Sequence, residues 1–590
     1  MTKRVICDIE ANGLQPDKIW CCVCRDIDTD ELTIFRDGDA EKAKEFFNSC
    51  DKIIGHNFIG YDVIWLNKLW KTGIKLDKIV DTLVLSRLAD SFRSGHSLKD
   101  WGERLKCYKE HHEDWSKWSQ EMEDYCIQDV NVTKKVYDKL RLELRGFTKD
   151  SVELEHWSQA ILERQRMSGF LLDQTLALKT KAEIDKKYLE IITQLQDVFP
   201  PRKVVTGQWM AKRNKSGEIN SVSQRIINSG TVEHVEGDLY NRIEYKEFCI
   251  DSPKEICERL SGYWKPTVMT PAGQPKVCEI NLNTLREDAP DSLKLIKDCK
   301  VLKSRSTLIQ SYFDACGDDG RVHGQVVSIG AGTHRMAHRN PNTGNIPSKG
   351  LYGEVCRQMF TVAPGRKLVG CDAANIQFRI LAHYLNNKEL IDQIVNKDMH
   401  YYFSQMYGLN PADKEYDDTN PDMVAGRKKG KTCTFAIIMG AGVGKIGEIL
   451  GGYEKGKEAF NNLKKNIVGW NRFHKEIEYR AGLGYFVGLD GRKIPLKSAH
   501  FGMSSYLQAG EAIIMKKAMV ESYKQIKELG LDAFQVAVVH DEMQWDCSED
   551  CAETVGNILR QNIIDAGVYY NLRCPLDGEY RIGNNWLETH

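Results

Sequence analysis

Acidic residues recur in apolar surroundings within the first 130 residues of the chain. In ICDIEANG, Asp8 and Glu10 are two residues apart, so on a strand both side chains leave the same face. Asp62 follows a turn signal in GHNFIGYDVIWL, and Tyr125 and Asp129 are one helical turn apart in YCIQDVNVTKKVY. An apolar context penalises an unpaired charge, which favours a shared cation site over four independent surface acids. Divalent ions held there could activate water for phosphodiester hydrolysis.

These acidic segments also resemble a known enzyme class. The DxE, HNxxxYD and YxxxD segments, in this order, are similar to the three motifs of the DEDDy group of 3′→5′ exonucleases. The resemblance implies that Tyr125 orients the attacking water and that the metal ligands are Asp8, Glu10, Asp62 and Asp129.

A second pair of acids lies late in the chain. RKLVGCDAANIQFRILAHYL predicts an apolar strand that ends at Asp372, followed by a helix, and AFQVAVVHDEMQWDC predicts a hairpin with His540 and Asp541 at its turn. Alone, Asp372 could equally be a helix N-cap. On adjacent strands, however, Asp372 and Asp541 could bind two Mg²⁺ ions together.

The segment between these acids, GRKKGKTCTFAIIMGAGVGKIG, has a helical repeat. Arg427, Lys431, Phe435 and Met439 recur every four residues, which puts them on one helical face. Cations on this face suit a triphosphate, and the aromatic ring could stack against a base. By itself the pattern fits a basic surface helix that runs into the core.

Taken together, these segments resemble the family A DNA polymerases. DAANIQFRILAHYL is similar to motif A, RKKGKTCTFAIIMGAG to motif B and VHDE to motif C. GTHRMAHRNPNTGNIPS resembles the stretch that contacts template and primer, and SYLQAGEAI resembles a helix that reads the minor groove. Replicative polymerases of short-tailed bacteriophages are the most similar in sequence over three further segments, GAGVGKIGEILGG, GLDGRK and NNWLETH.

The resemblance implies an α/β protein with an RNase H-like exonuclease domain at 1–148 and a right-hand polymerase domain at 149–590. The expected parts of the polymerase domain are a thumb at about 149–300, a palm at about 301–385 and 526–590, and fingers at about 386–525. Metal binding for synthesis is assigned to Asp372, Asp541 and the carbonyl of Ala373. Contacts with the nucleotide, primer or template are assigned to His400, Arg427, Lys431, Phe435, Gln377, Met439, Arg335, Gln508, His540 and Glu542.

The same resemblance implies cofactors and partners. Each active site is expected to use two Mg²⁺ ions, with Mn²⁺ as an alternative, and the substrates are primer-template DNA and dNTPs. A phage helicase-primase and a single-stranded DNA-binding protein are the expected partners, in the cytoplasm of the infected bacterium. Some phage relatives recruit host thioredoxin through a long basic thumb insertion. The segment at about 200–251 is short and reads as a solvated excursion, so thioredoxin is not expected.

Three positions depart from the family pattern. Gln377 stands where motif A usually has glutamate, and Met439 stands where motif B has the tyrosine that bonds to it. Because both partners change together, we expect the Gln377 amide to face the Met439 thioether and to exclude ribonucleotides by its bulk. His334 stands where the family has glycine, and the sequence gives no reason for it.

The elements that must position these residues follow from the sequence pattern. Residues 1–148 alternate strand and helix patterns, and 149–198 are helical with a turn signal at MSGFLLD. A chain of 590 residues needs more than one hydrophobic core. With 82 Lys and Arg against 83 Asp and Glu, the formal net charge is −1, which argues neither for nor against an anionic partner. We find no apolar run long enough for a bilayer, and we expect an intracellular protein. For CCVC among the 18 cysteines, buried reduced thiols are favoured over structural zinc.

Two other functions were weighed against a proofreading polymerase. One is a nuclease whose polymerase half is a degenerate DNA-binding platform, which the changes at Gln377 and Met439 would suit. The other is a binding-only replication accessory, which would need both acid clusters to be idle. The polymerase is favoured because four residues of its motifs are intact, namely Asp372, Arg427, Lys431 and Asp541.

Overall fold

The computed structural model describes residues 3–108 and 112–590. These residues divide into two compact units. The first unit runs to Leu172 and resumes over Ala315–Ile346 and Phe360–His590, and the second comprises Asp173–Asp314 and Pro347–Met359.

The first unit begins with a five-stranded sheet of order β3-β2-β1-β4-β5, in which β1 is antiparallel to β2 and parallel to β4. Side chains of β1 enter two cores, Val5 and Ile9 on one face and Ile6 on the other, which explains its nearly continuous apolar run. The elements are β1 (Arg4–Ala11), β2 (Ile19–Asp26), β3 (Leu32–Arg36), α1 (Ala40–Ser49), β4 (Lys52–Gly55), α2 (Asp62–Leu69), β5 (Ile79–Asp81), α3 (Thr82–Ala89), α4 (Leu98–Arg104) and α5 (Gln120–Glu143).

Helix α6 (Lys149–Ser168) and strand β6 (Phe170–Leu172) complete the N-terminal part of the first unit. Thr148 caps α6 by accepting the backbone N–H of Ser151 at 3.1 Å. The sequence assigned α6 to the thumb, but its side chains bond within the first unit. His156 accepts the backbone N–H of Asp81 at 2.8 Å, and Glu155 forms buried ion pairs. The thumb boundary near 149 is therefore not a boundary between the two units.

The second unit is built on two long helices and a small sheet of order β7-β9-β8. The sequence predicted a solvated excursion at 200–251, whereas these residues pair as antiparallel strands, with Arg202 opposite Lys246. Most strand side chains are exposed, which is why the apolar pattern was weak. The elements are α7 (Gln174–Val198), β7 (Arg202–Met210), α8 (Ser221–Asn228), β8 (Val232–Glu236), β9 (Leu239–Lys246), α9 (Pro253–Leu260), α10 (Glu279–Leu282), α11 (Asp291–Asp314) and α12 (Gly353–Gln358).

The remainder of the first unit contains a four-stranded sheet of order β17-β18-β14-β19 and the helices that surround it. Strands β17 and β18 form the predicted hairpin. The strands are β10 (Arg321–Val322), β11 (Gln325–Val327), β12 (Ala337–Arg339), β13 (Phe360–Thr361), β14 (Arg366–Ala373), β15 (Tyr485–Val487), β16 (Lys493–Pro495), β17 (Ala533–Val539), β18 (Glu542–Ser548) and β19 (Gly578–Gly583).

The helices of this part share one large apolar core with the sheet, in which Phe378, Leu507 and Trp545 are almost completely buried. They are α13 (Ile376–Leu385), α14 (Lys388–Asn396), α15 (Met399–Met406), α16 (Pro421–Ile438), α17 (Val443–Leu450), α18 (Tyr453–Asn466), α19 (Trp470–Leu483), α20 (Gly502–Glu528) and α21 (Ala552–Tyr569). Among the described residues, we find no helix that combines the length and apolarity of a membrane span.

A buried ion cluster joins α6 to this part of the first unit. Glu155 accepts hydrogen bonds from Lys516 at 2.6 Å and Arg492 at 2.5 Å, and all three side chains are fully buried. Arg492 also pairs with Asp490 at 2.6 Å. Burial alone would raise the pKa of Glu155, but the charges of Lys516 and Arg492 outweigh it and lower that pKa. The cluster therefore keeps Glu155 ionised in the core.

Neutralising Glu155 should destabilise the first unit. Glu155→Gln would leave two buried cations with Asp490 as the remaining carboxylate, so we expect a loss of about 3–5 kcal/mol in unfolding free energy, measured by urea denaturation. Glu153→Gln on the same helix is the control, because its side chain is 58% exposed and pairs with Lys149 at the surface. Equal effects of the two substitutions would contradict the assignment of Glu155 to a stabilising buried ion cluster.

Candidate active sites

The first acid cluster forms on β1. Asp8 and Glu10 project from this strand, and their carboxylate oxygens and the sulfur of Cys126 all lie within 4.8 Å of one another. Asp62 begins α2, and its carboxylate accepts the backbone N–H of Ile9 at 3.1 Å, which fixes it beside the same strand. Burial, followed by the charge of Asp8, raises the pKa of Asp62 well above its usual range. Three of the four predicted acids therefore meet at β1.

Helix α5 brings the remaining predicted residues to this strand. Cys126 lies 3.5 Å from the carbonyl oxygen of Asp8, and Asp129 follows three residues later on the same helix face. Tyr125 and Asp129 are 8% and 3% exposed. The rings of Tyr125 and Trp115 are nearly perpendicular, with their centroids 5.7 Å apart. Sequence reasoning missed Cys126, although its place between Tyr125 and Asp129 was visible in YCIQD.

The second acid cluster forms where β14 meets the hairpin turn. Asp372 lies opposite Glu542 on β18 and opposite Glu579 on β19, and the backbone N–H of Ala373 donates to the carbonyl of Asp541 at 3.0 Å. Residues 372 and 541, far apart in the sequence, thus become neighbours, as predicted. Partial desolvation, followed by the charges of Asp541 and Glu542, raises the pKa of Asp372 to about 8. Desolvation also raises the pKa of Asp541.

Both clusters have the chemistry of divalent-cation sites. Their donors are carboxylate oxygens, which Mg²⁺ and Mn²⁺ prefer, and burial, followed by repulsion between like charges, raises the pKa of Asp62 and Asp372. A bound cation would offset this repulsion. The residues present therefore fit the metal ions that the acid motifs imply.

The predicted nucleotide-binding residues gather around α16. Arg427 donates to Asp398 at 2.7 Å, and Phe435 meets Phe378 edge-on at a ring distance of 5.0 Å. His400 lies 6.1 Å from the Phe435 ring. Burial, followed by the charges of Lys431 and Arg427, lowers the pKa of His400 to about 4, so this imidazole is neutral near pH 7.

Gln377 does not face the Met439 thioether as the sequence predicted. Its amide donates to the carboxylate of Glu511 at 2.7 Å, while the Gln508 amide lies 3.7 Å from the Met439 sulfur. Glu511, on α20 and 1% exposed, also accepts from Arg335 at 2.5 Å. The expectation failed because a buried carboxylate from another helix competes for the Gln377 amide. Glu511 is thus a site residue that sequence reasoning missed.

The backbone at His334 adopts a conformation that favours glycine, and nothing in the structure explains the histidine side chain. Its φ is +60°, in the left-handed region that favours glycine, which accounts for the glycine usual at this position. The His334 side chain is fully buried, and its carbonyl accepts from Lys516 at 2.9 Å. The buried ion cluster therefore holds the backbone directly before Arg335.

The turn residues His540 and Glu542 differ in their surroundings. His540 is exposed, with a φ of +54° at the tip of the hairpin. Glu542 is 4% exposed and accepts from the Trp586 indole at 2.5 Å, and its other oxygen lies 3.0 Å from His590. The C-terminal residues thus fix the carboxylate that follows Asp541.

Two family models match the chain. The model described as DNA polymerase family A matches residues 218–588, and the model described as 3'-5' exonuclease matches residues 7–145. The chain belongs to DNA polymerase family A. This confirms the predicted order of an exonuclease domain followed by a polymerase domain. Domains of both kinds are generally metal-dependent.

Relatives of this family A polymerase include phage enzymes. It is 28% identical to the DNA-directed DNA polymerase of Enterobacteria phage T3 over 723 aligned residues and to that of Escherichia phage T7 over 728, each covering 99% of this chain and 100% of the relative. The POL domain of Pol1 from M. smegmatis, solved with DNA primer-template and dNTP, shares the fold at a TM-score of 0.77 and 17% identity, over 100% of this chain and 96% of that one.

These matches decide between the functions weighed above. The protein is a DNA-directed DNA polymerase with a 3'-5' exonuclease domain, whose substrates are primer-template DNA and dNTPs. A nuclease with a degenerate polymerase half is not favoured.

The raised pKa of Asp372 predicts a pH-dependent stability of the metal-free protein. Between pH 4 and 8 the unfolded chain ionises this carboxyl while the folded chain keeps it protonated, so its destabilising contribution grows as pH rises. In EDTA, we expect Asp372→Asn to be more stable than the wild type at pH 8 by about 1 kcal/mol, a figure reduced for solvent screening, and by less at pH 5.

The comparison is made by urea denaturation at both pH values. Asp550→Asn, at an exposed carboxylate, is the control and should leave the pH profile unchanged. A gain for Asp372→Asn that is the same at pH 5 and pH 8 would refute the electrostatic cause.

Proposed function

We propose that this family A polymerase replicates phage DNA in the cytoplasm of an infected bacterium, extending primers at the Asp372 site and removing mispaired ends at the Asp8 site. The observation that carries the proposal is the meeting of Asp372 on β14 with Asp541, in the hairpin turn that precedes the adjacent strand β18. The likeness to the phage T3 and T7 polymerases over almost the full length supports the replicative role.

Synthesis uses two groups of residues in the polymerase domain. Asp372, Asp541 and the carbonyl of Ala373 would hold two Mg²⁺ ions, for which Mn²⁺ could substitute. The triphosphate is bound by residues around α16, namely His400, Arg427 and Lys431. The primer 3′-hydroxyl attacks the α-phosphate in line and pyrophosphate leaves. A neutral His400 donates a hydrogen bond without adding positive charge, while Arg427 and Lys431 provide the charge.

Proofreading uses the cluster on β1. Asp8, Glu10, Asp62 and Asp129 would hold the cations, and Tyr125 would orient the water that attacks the terminal phosphodiester. When bound, the ions of both sites supply a lowered pKa for the attacking oxygen and stabilisation of the leaving oxygen. Burial of Glu10, Asp62 and Asp129 keeps these carboxylates from rotating freely, which preorganises the site.

Substitution of one acid at each site should separate the two activities. Asp372→Ala is expected to lower primer extension by on the order of 10³-fold and to leave degradation of a mismatched primer intact, and Asp8→Ala is expected to do the reverse. The assay is a single primer-template incubated with and without dNTPs. Asp550→Ala serves as the control for both reactions. Extension that survives Asp372→Ala would sink the proposal, and degradation without extension by the wild type would restore the nuclease alternative.

Sugar selection rests on Gln377. Its bulk, fixed by Glu511, excludes the ribose 2′-hydroxyl, while Phe435 packs beside the sugar and base. Arg335 and Gln508 contact the primer and the minor groove, His540 and Glu542 support the primer end, and Met439 lies beside Gln508.

Shortening Gln377 should relax sugar selection. Gln377→Ala removes the obstructing atoms, so we expect the preference for dNTP over rNTP to fall about tenfold or more, equivalent to about 1.4 kcal/mol. Single-turnover incorporation of matched dNTP and rNTP measures the ratio. Met439→Leu, which keeps the volume of its side chain, should change it by less than about threefold. An unchanged ratio in Gln377→Ala would exclude selection by bulk.

The second unit serves as a thumb that grips duplex DNA by phosphate contacts, without thioredoxin. The alignments with the phage relatives are longer than this chain, so those relatives contain segments that it lacks. Lys203 and Arg213 are already paired with Glu233 and Asp238. The exposed Lys212 and Lys215 are therefore better placed to meet phosphates. A phage helicase-primase and a single-stranded DNA-binding protein complete the proposed set of partners.

Removing these two lysines should weaken DNA binding and its salt dependence together. For Lys212→Ala with Lys215→Ala, we expect the slope of log affinity against log salt to fall in magnitude by about 1–2. Lys203→Ala is the matched control and should change it less, because Glu233 already compensates that charge. The slope is measured by fluorescence anisotropy at salt concentrations from about 50 to about 200 mM. An unchanged slope in the double variant, or products lengthened many-fold by added thioredoxin, would contradict this role of the thumb.

A further inference from the structure

Three thiols meet inside the exonuclease sheet, away from the acid cluster. The sulfur of Cys22 lies 3.5 Å from that of Cys7 and 4.0 Å from that of Cys24. All three sulfur atoms lie within 4.8 Å of one another. Each residue is at most 1% exposed.

The strand geometry explains why these thiols meet. Cys22 and Cys24 are two residues apart on β2, so their side chains share one face, and Cys7 of β1 lies directly opposite Cys24. This face packs on α1 together with Phe35 and Phe47. Cys21 and Cys126 belong to the core on the opposite face of the sheet. The three-thiol site is therefore separate from the Asp8 and Glu10 site, which adjoins Cys126.

The sulfur spacing fits coordination of a single ion. A metal–thiolate bond of about 2.3 Å places three sulfurs of a planar site roughly 4 Å apart. Two of the three sulfur separations, 3.5 and 4.0 Å, are close to this value, and the third is at most 4.8 Å. Apolar packing alone does not require three sulfurs to lie in mutual contact.

The ligand set also limits the kind of ion. Among the described residues, the metal-competent group on this face consists of three cysteines, without a fourth histidine or carboxylate. Structural zinc sites are closed by four protein ligands, whereas this buried group provides three. Thiolate ligands in low number suit a soft monovalent ion.

We propose that Cys7, Cys22 and Cys24 form a three-coordinate thiolate site for Cu(I). Three Cu–S bonds form, the thiol protons pass to solvent, and no electron is transferred. Such a site would crosslink β1 and β2, and β1 carries Asp8 and Glu10.

Competitive copper binding tests the site. Fully reduced protein is titrated anaerobically with Cu(I) against a chromogenic chelator, in a Cys249→Ala background that removes the exposed thiol. We expect one Cu(I) per chain, three Cu–S contacts by X-ray absorption, and binding at least 100-fold weaker in Cys22→Ala. Cys50→Ala is the matched control, because Cys50 is a buried thiol of the same core outside the group, and it should bind as the background does.

Folding of each variant is verified by primer extension and by the far-ultraviolet circular dichroism spectrum. Cys24→Ser, which nearly keeps the side-chain volume, is the second variant and should also lose the tight site. Equal copper affinity in Cys22→Ala, Cys24→Ser and Cys50→Ala would overturn the proposal. Preferential uptake of Zn²⁺ over Cu(I) by the three cysteines would overturn the assignment to Cu(I).

Discussion

Burial and mutual repulsion of carboxylates that the fold brings together are the constraint on which the rest of the structure depends. At β14, register places Asp372 beside Glu542 and Glu579 and next to the turn that carries Asp541. At β1, Asp62 is tied to the strand that carries Asp8. In the absence of cations, each cluster lowers the free energy of unfolding. The packing of the sheet that carries the cluster must offset this loss. A bound cation relieves the repulsion between the carboxylates, and the free energy released contributes to the affinity for the cation.

The buried charges around the polymerase site follow the same constraint. Glu511 adds a further carboxyl near Asp541, and Arg335 and Gln377 bind it. Burial raises the pKa of Glu511 to about 7 against the lowering effect of Arg335. Behind Arg335, the Glu155 cluster holds the His334 carbonyl through Lys516. Ion pairs, hydrogen bonds and the His334–Arg335 peptide thus connect α6 to Gln377 of motif A.

Periodic and local features were predictable from the sequence. The two-residue spacing of Asp8 and Glu10, the hairpin at Asp541 and the four-residue repeat from Arg427 to Phe435 all depend on neighbours along the chain, and the structure contains each of them. Contacts between distant side chains were not predictable. The local sequence does not mark Glu511 as a site residue, because its partners, Arg335 and Gln377, are more than 130 positions away.

The same limit applies to α6 and to the cysteines. The sequence pattern of α6 predicted a helix but not the compact unit to which the helix belongs, because Glu155 binds partners more than 330 residues away. Three cysteines on β1 and β2 were visible in the sequence, but only the register of the strands makes them one group. Polar side chains that pair across the core carry no periodic signal, and so these interactions appear only in three dimensions.

The central claim is that distant acids form two separate cation sites. Anomalous diffraction from a crystal soaked in Mn²⁺, with primer-template and a non-hydrolysable dNTP bound, tests it most directly. The account predicts Mn²⁺ peaks at Asp372 and Asp541 and a second group at Asp8, Asp62 and Asp129. It would be contradicted by a polymerase site in which Asp372 and Asp541 share no ion although nucleotide is bound.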